Sequence, residues 1–289
     1  MKTRNPGLTV LNYFLVGLFA IVCIIPMLLV LSISLTSTDA IRRYGYQLWP
    51  REWSGEAYRL IFMGNSSVYQ GYIVSVSVTV VGTILAVAIT AMCAFALVNK
   101  NVQYRNKLAF YFFVPMVLSG GLVPWYLMCR NLKLIDNFWA LVIPSLLFNP
   151  FNMFLCRNFM RDIPDSLMES AKLDGAQDFR ICFQIYFPLS TPVIATVALF
   201  YGIAYWNDWF NAIMLVNKED LFPLQYMLMK IQSEIEALKH VQPGVPVKNL
   251  PSDSLKMATA IVTIGPIILL YPYLQKYFVK GLIIGGVKG

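Results

Sequence analysis

Residues 8–38 contain no charged side chain and are mostly apolar. A helix of about 20 apolar residues crosses the hydrocarbon core of a bilayer. Unpaired backbone groups are too costly in lipid, so a run of this kind must be helical. Lys2 and Arg4 precede it in the manner of a signal peptide, but the apolar core of a signal is only about 7–15 residues long. A retained first span is therefore expected over Leu8–Leu35. Five further stretches have the same character: Tyr72–Val98, Leu108–Cys129, Phe138–Leu155, Pro188–Val216 and Met257–Phe278. The expected fold is all-α and polytopic, with six transmembrane helices in one domain over residues 1–289.

The chain is 57% hydrophobic and only 13% charged, with a mean hydropathy of +0.60. Soluble domains carry about 25% charge, and a soluble core has no room for this excess of apolar side chains. The net charge of +8 does not point to nucleic acid, because the basic residues are scattered between apolar runs and form no stripe. Lys and Arg beside membrane spans instead meet anionic lipid. The cysteines Cys23, Cys93, Cys129, Cys156 and Cys182 are odd in number and lack CxxC spacing. They are expected as small hydrophobes, with no disulfide framework and no metal site. His240 is the single histidine, and neither a GxxxxGK[ST] loop nor an HExxH pair occurs. No catalytic constellation and no cofactor are expected in this chain.

Pro26, Pro115, Pro124, Pro192, Pro266 and Pro272 fall inside the apolar runs and predict kinks rather than breaks. Gly120-Gly121 lies between two of them. Close helix packing is the commoner use of such small residues; a hinge or unwound segment lining a path is the alternative. Lys100, Arg105 and Lys107 between the second and third spans outnumber Arg130 and Lys133 between the third and fourth. Short-loop charge thus places both termini in the cytoplasm. Within the outer segment 217–256, Leu224, Met227, Leu228, Ile231, Ile235 and Leu238 recur at helical spacing. They predict an amphipathic helix lying on the membrane or its own subunit, or docking a partner. Pro243, Gly244 and Pro246 follow as a turn-rich stretch.

The segment from Phe159 to Pro188 is long for a connection between spans. It reads as two short helices around a glycine turn. Pro164 suits a helix start, Asp165 and Lys172 match the two ends of the helix dipole, and Gly175 stands where a left-handed C-terminal cap belongs. Phe179 and Phe183 share a face of the second helix. Ser170, Ala171, Gly175 and Ala176 keep one surface low. On these grounds alone, an interfacial loop and a docking element stand level.

Glu169-Ser170-Ala171, Gly175 after three residues, and Ile185-Tyr186-Phe187-Pro188 after nine more resemble the coupling motif of ABC importer permeases. That motif is Glu-Ala-Ala, Gly and Ile-x-Leu-Pro at the same spacing; Ser170 and Phe187 depart from it. Val114–Tyr126, Tyr205–Phe210, Pro272–Gly281 and Gly285–Gly289 are similar to carbohydrate-importer permeases of the binding-protein-dependent, MetI-like family. They resemble its smaller maltose-type subunit and the branch for complex polysaccharides.

The resemblance implies a permease in a bacterial plasma membrane, paired with a second, related permease subunit. Two ATPase subunits would hold ATP and Mg, and an extracytoplasmic binding protein would deliver the carbohydrate. The coupling residues implied are Glu169, Ser170, Ala171, Gly175, Ile185 and Pro188. The tail residues Gly285, Gly286, Lys288 and Gly289 would reach the ATPase pair, unless they are an ordinary frayed end. Trp206, Asn207, Asp208 and Trp209 are candidate substrate-path residues. Asp208 is the one acid within a span; it stands equally as an outer-mouth sugar contact or a structural residue. An ion-coupled carrier is the rival from another class, but it needs midplane ionisable sites and usually a repeat. A membrane-embedded enzyme would need a constellation the chain lacks. Topology gives a first test: an impermeant thiol reagent added outside should label cysteines placed in 217–256 and leave those placed near Glu169 untouched. The reversed pattern contradicts the assignment.

Overall fold

The structure, a computed structural model, describes residues 6–63, 66–230, 233 and 253–268. No named strand occurs among the described residues, and the one β-bridge joins Thr36 to Trp53. The chain divides into two compact units, Met1–Tyr69 with Leu228–Pro266, and Gln70–Met227 with Ile267–Gly289.

In the first unit, α1 (Pro6–Ser34) is a continuous helix through Pro26. Its apolar side chains are exposed all round, as at Tyr13, Phe14 and Phe19. Apolar character on every face suits a span in lipid or against another subunit. α2 (Thr38–Tyr44) begins at Ser37, whose hydroxyl accepts the Ala40 amide. α3 (Glu56–Met63) packs back on the end of α1, where Ser34 Oγ and Tyr58 OH lie 2.8 Å apart. The sixth stretch is helical over 253–268, and Tyr46 OH donates to Asp253 Oδ2 at 2.9 Å. That bond raises the Tyr46 pKa above its ordinary value.

Among the described residues of the second unit, α4 (Ser66–Val98) is the one long unbroken helix. The expected third span is two helices, α5 (Arg105–Val117) and α6 (Leu122–Asn131), bent by 118°. Kinking at Pro115 and Pro124 was the wrong expectation. The break falls at Gly120-Gly121, where Gly121 has φ +81° and a Cβ on either glycine would meet nothing within 4 Å. These glycines turn the chain rather than admit a neighbouring helix of the chain.

The expected fourth span is also divided, into α7 (Trp139–Val142) and α8 (Pro150–Met160). Pro150 opens α8 at a position where its missing N–H costs nothing, and Asn149 is extended, as a residue before proline prefers. Ser145 takes φ +65° inside the break. α9 (Asp165–Leu173) and α10 (Asp178–Ile181) follow, then a π-helical turn over Cys182–Tyr186 and α11 (Phe187–Leu189). The expected fifth span becomes α12 (Thr191–Trp206) and α13 (Phe210–Leu215), and the run 178–189 meets α12 at 86°.

By length and composition, two helices among the described residues can cross a membrane singly, and the two bent pairs raise that to four. The amphipathic segment is helical over 224–230, where Leu224 is buried and its amide donates to Ser75 Oγ at 2.9 Å. Residues 234–250, with His240, Pro243, Gly244 and Pro246, lie outside the described residues, as does the sixth stretch beyond 268.

Broken helices expose backbone groups that lipid cannot solvate, and α12 and α13 supply many of the partners. Tyr205 OH donates to Val142 O at 2.8 Å, Tyr201 OH accepts the Asn149 amide at 2.9 Å, and Asn211 Nδ2 donates to Pro144 O at 3.1 Å. Thr90 Oγ1 and Tyr201 OH share a further bond of 2.7 Å. Gly82 of α4 admits the Tyr205 ring, because a Cβ there would lie 2.4 Å from it. Tyr205 is tethered through its hydroxyl and has little freedom to yield.

Gly82→Ala is expected to destabilise the chain by about 1–3 kcal/mol, the usual range for overpacking. Tyr205→Phe alone strands the Val142 carbonyl and costs about 1–3 kcal/mol. In the double variant the untethered ring can shift, so the thermal midpoint in detergent should fall by less than the sum of the two losses. Additive losses would show that the tether does not hold the ring against Gly82.

Candidate functional site

α9 begins after Pro164, with Asp165 in its first turn and Lys172 in its last. Its C-terminus is closed by two reversed bonds: the Gly175 amide donates to Lys172 O at 3.0 Å and the Ala176 amide to Ala171 O at 2.9 Å. This pairing is the Schellman motif, which requires a left-handed residue after the cap. Gly175 supplies it with φ +77°. The turn is braced by Lys172 Nζ on Asp178 Oδ1 at 3.1 Å. Lys100 pairs with Asp165 and joins the first turn of α9 to the α4–α5 connection. Both partners are substantially exposed, so that pair contributes about 0–1 kcal/mol.

One side of the segment is packed into the chain's own core. Met168, Ala171, Ile181, Cys182 and Tyr186 are buried there, and the Tyr186 ring meets Phe95 of α4 edge-on at 4.9 Å. The other side is open. Glu169, Ser170, Asp174 and Gly175 are exposed, and Leu173 is 89% exposed. An apolar side chain this exposed at a helix end is suited to a partner's pocket. Ala171 thus serves internal packing, while Ser170 and Gly175 keep the outward surface low. Ile185 lies half-buried in the π-helical turn, and Pro188 is the second residue of α11, just before α12. Phe179, Phe183 and Phe187 stack in sequence at 4.6 and 4.8 Å. The predicted second helix therefore exists, but it starts at Asp178 and changes pitch at Cys182.

Trp206 is the last residue of α12, and Asn207, Asp208 and Trp209 occupy the break before α13. Trp206 is buried; Asn207 and Trp209 are exposed. Both carboxylate oxygens of Asp208 are engaged by the start of α13. Oδ1 accepts the Phe210 and Asn211 amides at 3.1 and 3.2 Å, and Oδ2 accepts Asn211 Nδ2 at 2.8 Å. An aspartate in this position satisfies the orphan amides of a helix start. Of its two open readings, Asp208 has the geometry of the structural one. Asn207 Oδ1 accepts Gln225 Nε2 at 3.0 Å. The aromatic surface nearby is completed by Trp125 of α6, 5.5 Å from Phe210.

The far end of α13 is held by Asp136. Its amide donates to Leu215 O at 2.9 Å, and its carboxylate accepts the Asn217 and Lys218 amides and Asn217 Nδ2. These donors, the Asn217 amide first, hold the Asp136 carboxyl below the usual carboxylate range. Sequence reasoning did not single out Asp136, Tyr201, Tyr205 or Asn211. For Tyr201 and Tyr205 the available signal was two hydroxyl-bearing residues at four-residue spacing inside an apolar run; Asp136 and Asn211 carry no such signal. The tail residues Gly285, Gly286, Lys288 and Gly289 lie outside the described residues. Among the described residues no cluster of His, Cys, Asp and Glu has metal-ligand geometry.

At Gly175 the space for a Cβ is open, so only backbone strain opposes a side chain there. Gly175→Val should cost about 1–2 kcal/mol in a left-handed conformation, whereas asparagine tolerates it. If α9 is the coupling helix that the resemblance implies, the valine variant inserts in the membrane at a normal level and loses association with, or coupling to, the ATPase. Gly175→Asn should retain more of both. Membrane yield and co-purification measure the two effects, and normal transport by the valine variant would refute a role for this turn.

The family model described as "Binding-protein-dependent transport system inner membrane component" matches residues 4–284. The chain is 36% identical over 293 residues to the polygalacturonan/rhamnogalacturonan transport system permease protein YtcP of Bacillus subtilis (strain 168), covering 100% of each. It is 35% identical over 284 residues to protein LplC of the same strain, covering 97% of this chain and 94% of that one. A chain from the crystal structure of a bacterial ABC transporter involved in import of the acidic polysaccharide alginate superposes with a TM-score of 0.82. The identity there is 28%, and the match covers 96% of this chain and 99% of that one. The chain belongs to the binding-protein-dependent inner membrane component family and is a membrane-spanning permease subunit of an ABC importer, not itself an enzyme.

Proposed function

We propose that this permease moves an oligo- or polysaccharide. The observation that carries the reading is full-length similarity to a permease named for polygalacturonan and rhamnogalacturonan transport. The likeness to a subunit of an alginate importer supports the same class. Residues 1–289 act as one permease domain, paired in a heterodimer with a related subunit. The termini are cytoplasmic, two ATPase subunits bind ATP and Mg beneath, and a binding protein delivers the saccharide from outside.

In this reading α9 is the coupling helix. Leu173, Ser170 and Glu169 enter a groove on an ATPase subunit, and Gly175 allows the tight exit. Ala171 fixes the helix to the permease, so that movement of the groove is passed on rather than absorbed. Ile185 and Pro188 form the elbow that leads to α12. The exposed Asn207 and Trp209 are the outer-mouth saccharide contacts; Trp206 and Asp208 hold the break in shape. The tail residues Gly285, Gly286, Lys288 and Gly289 reach the ATPase pair, where small residues enter a narrow gap and Lys288 meets acidic groups.

Two measurements test the reading. In the purified complex, ATP hydrolysis should rise with binding protein loaded with oligogalacturonides and stay near basal with maltose. The opposite preference contradicts the polysaccharide assignment, and transport by the isolated chain would favour an ion-coupled carrier. Deleting 285–289 should leave the membrane level of the chain unchanged and lower ATPase assembly or turnover. Transport at the original rate after the deletion would make the tail a frayed end.

A further inference from the structure

The last turn of α1 is covered where most of the helix is bare. Residues 10–28 are exposed, while Ser32, Ile33 and Ser34 are buried. Part of the cover is the connection between α2 and α3, which folds back on the end of α1. Ser32 Oγ donates to Gln47 O at 2.7 Å, the Ser37 amide to Glu52 O at 3.1 Å and the Ser54 amide to Leu35 O at 2.8 Å. Thr36 and Trp53 form the β-bridge, and Ile33, Tyr44, Trp49 and Arg51 line one crevice. Gln47 is therefore level with residue 32 and Trp53 with residue 36, about one helical turn apart.

That level is the edge of the membrane. α1 has 29 residues, which at about 1.5 Å each span roughly 43 Å. A bilayer with its headgroups is about 40–45 Å thick, so residues 32–36 fall in the headgroup region. The surface turned outward there is aromatic and basic. Trp49 is 74% exposed and Trp53 60%, and Leu48 between Gln47 and Trp49 is also exposed. Arg51 is exposed too, with its guanidinium over the Tyr44 ring at 4.7 Å and its Nε donating to Gln47 Oε1 at 3.1 Å.

We infer that residues 47–53 are an interfacial anchor: Leu48, Trp49 and Trp53 lie at the boundary of headgroups and acyl chains, and Arg51 meets the lipid phosphates. Tryptophan prefers this zone because its ring is apolar and its N–H can reach water or headgroups. An arginine held beside it suits the phosphate of a phospholipid. The two indole rings, 5.7 Å apart, stand at 83° to each other, so they make no flat platform on which a sugar chain could stack. The three bonds to α1 also satisfy polar groups of an irregular backbone, as a position beside hydrocarbon demands. The anchor requires only that α1 crosses the bilayer, and it is independent of the solute moved.

The test uses the complete transporter in vesicles of phosphatidylethanolamine and phosphatidylglycerol, its other accessible cysteines changed to serine. A nitroxide is attached at Trp49→Cys, and at Leu48→Cys so that one variant keeps both tryptophans. Collision rates with oxygen, which dissolves in lipid, and with a water-soluble nickel chelate are read by electron paramagnetic resonance. Val16→Cys on α1 and Lys218→Cys, both exposed, are the lipid and water references. Positions 48 and 49 should fall between the references, with oxygen favoured over nickel, and Arg51→Glu should shift position 48 toward the water reference. Nickel collisions equal to the water reference would show a loop in solvent, and low rates with both reagents would show one covered by protein. Either result overturns the anchor, and a position 48 unmoved by Arg51→Glu contradicts the phosphate contact.

Discussion

Backbone polar groups in an apolar medium must find partners, and side chains supply them at the breaks between α7 and α8 and between α12 and α13. Tyr201 and Tyr205 lie one turn apart on α12 and reach the amide of Asn149 and the carbonyl of Val142. Asn211 reaches Pro144 O from α13, and Asp208 holds Asn211 in place while satisfying the first amides of that helix. Each bond is worth about 1 kcal/mol net, but losing one leaves a buried group unsatisfied at a cost of about 1–3 kcal/mol. The polar residues of α12 and α13 therefore fix the course of the fourth stretch. Gly82 completes the arrangement by letting the Tyr205 ring approach α4.

The same unit carries α9, proposed above as the coupling helix. α9 is anchored by Met168 and Ala171 on one side and presents Leu173 and Ser170 on the other. A lever needs a rigid joint to the part it moves. The buried Tyr186 against Phe95, the Schellman turn at Gly175 and the two ion pairs supply that joint. The π-helical turn lies inside the run 178–189, which meets α12 at 86° across Ser190. π-Helical turns are rare and often sit at functional positions, and this one stands between the exposed helix and the broken spans.

Much of this was legible in the sequence. The apolar runs located the helices, and Gly175 was placed in a left-handed cap because its signals are local: an acid and a base at opposite ends of a short helix, then glycine. The motif around Glu169 resembles that of ABC importer permeases on sequence alone. The breaks were not legible. Hydropathy cannot distinguish 138–155 as one helix from two helices with an unwound segment, because both are uncharged. What decides is whether distant residues can satisfy the freed groups, and Tyr201 lies 52 residues from Asn149. Gly120-Gly121 carried two readings because glycine serves close packing and turning equally well; only the empty space around it separates them. Asp208 was ambiguous for a related reason. Its role depends on where α12 stops, and helix ends inside apolar runs leave little trace in sequence.

The central claim is that α9 is the surface on which the ATPase acts. The direct measurement places a photoreactive benzoylphenylalanine at position 173 in the complete complex and identifies what it captures. The account predicts an adduct with an ATPase subunit, at a yield that changes between the nucleotide-free and ATP-bound states. An intact, hydrolysing complex in which position 173 captures only lipid or the binding protein would contradict it.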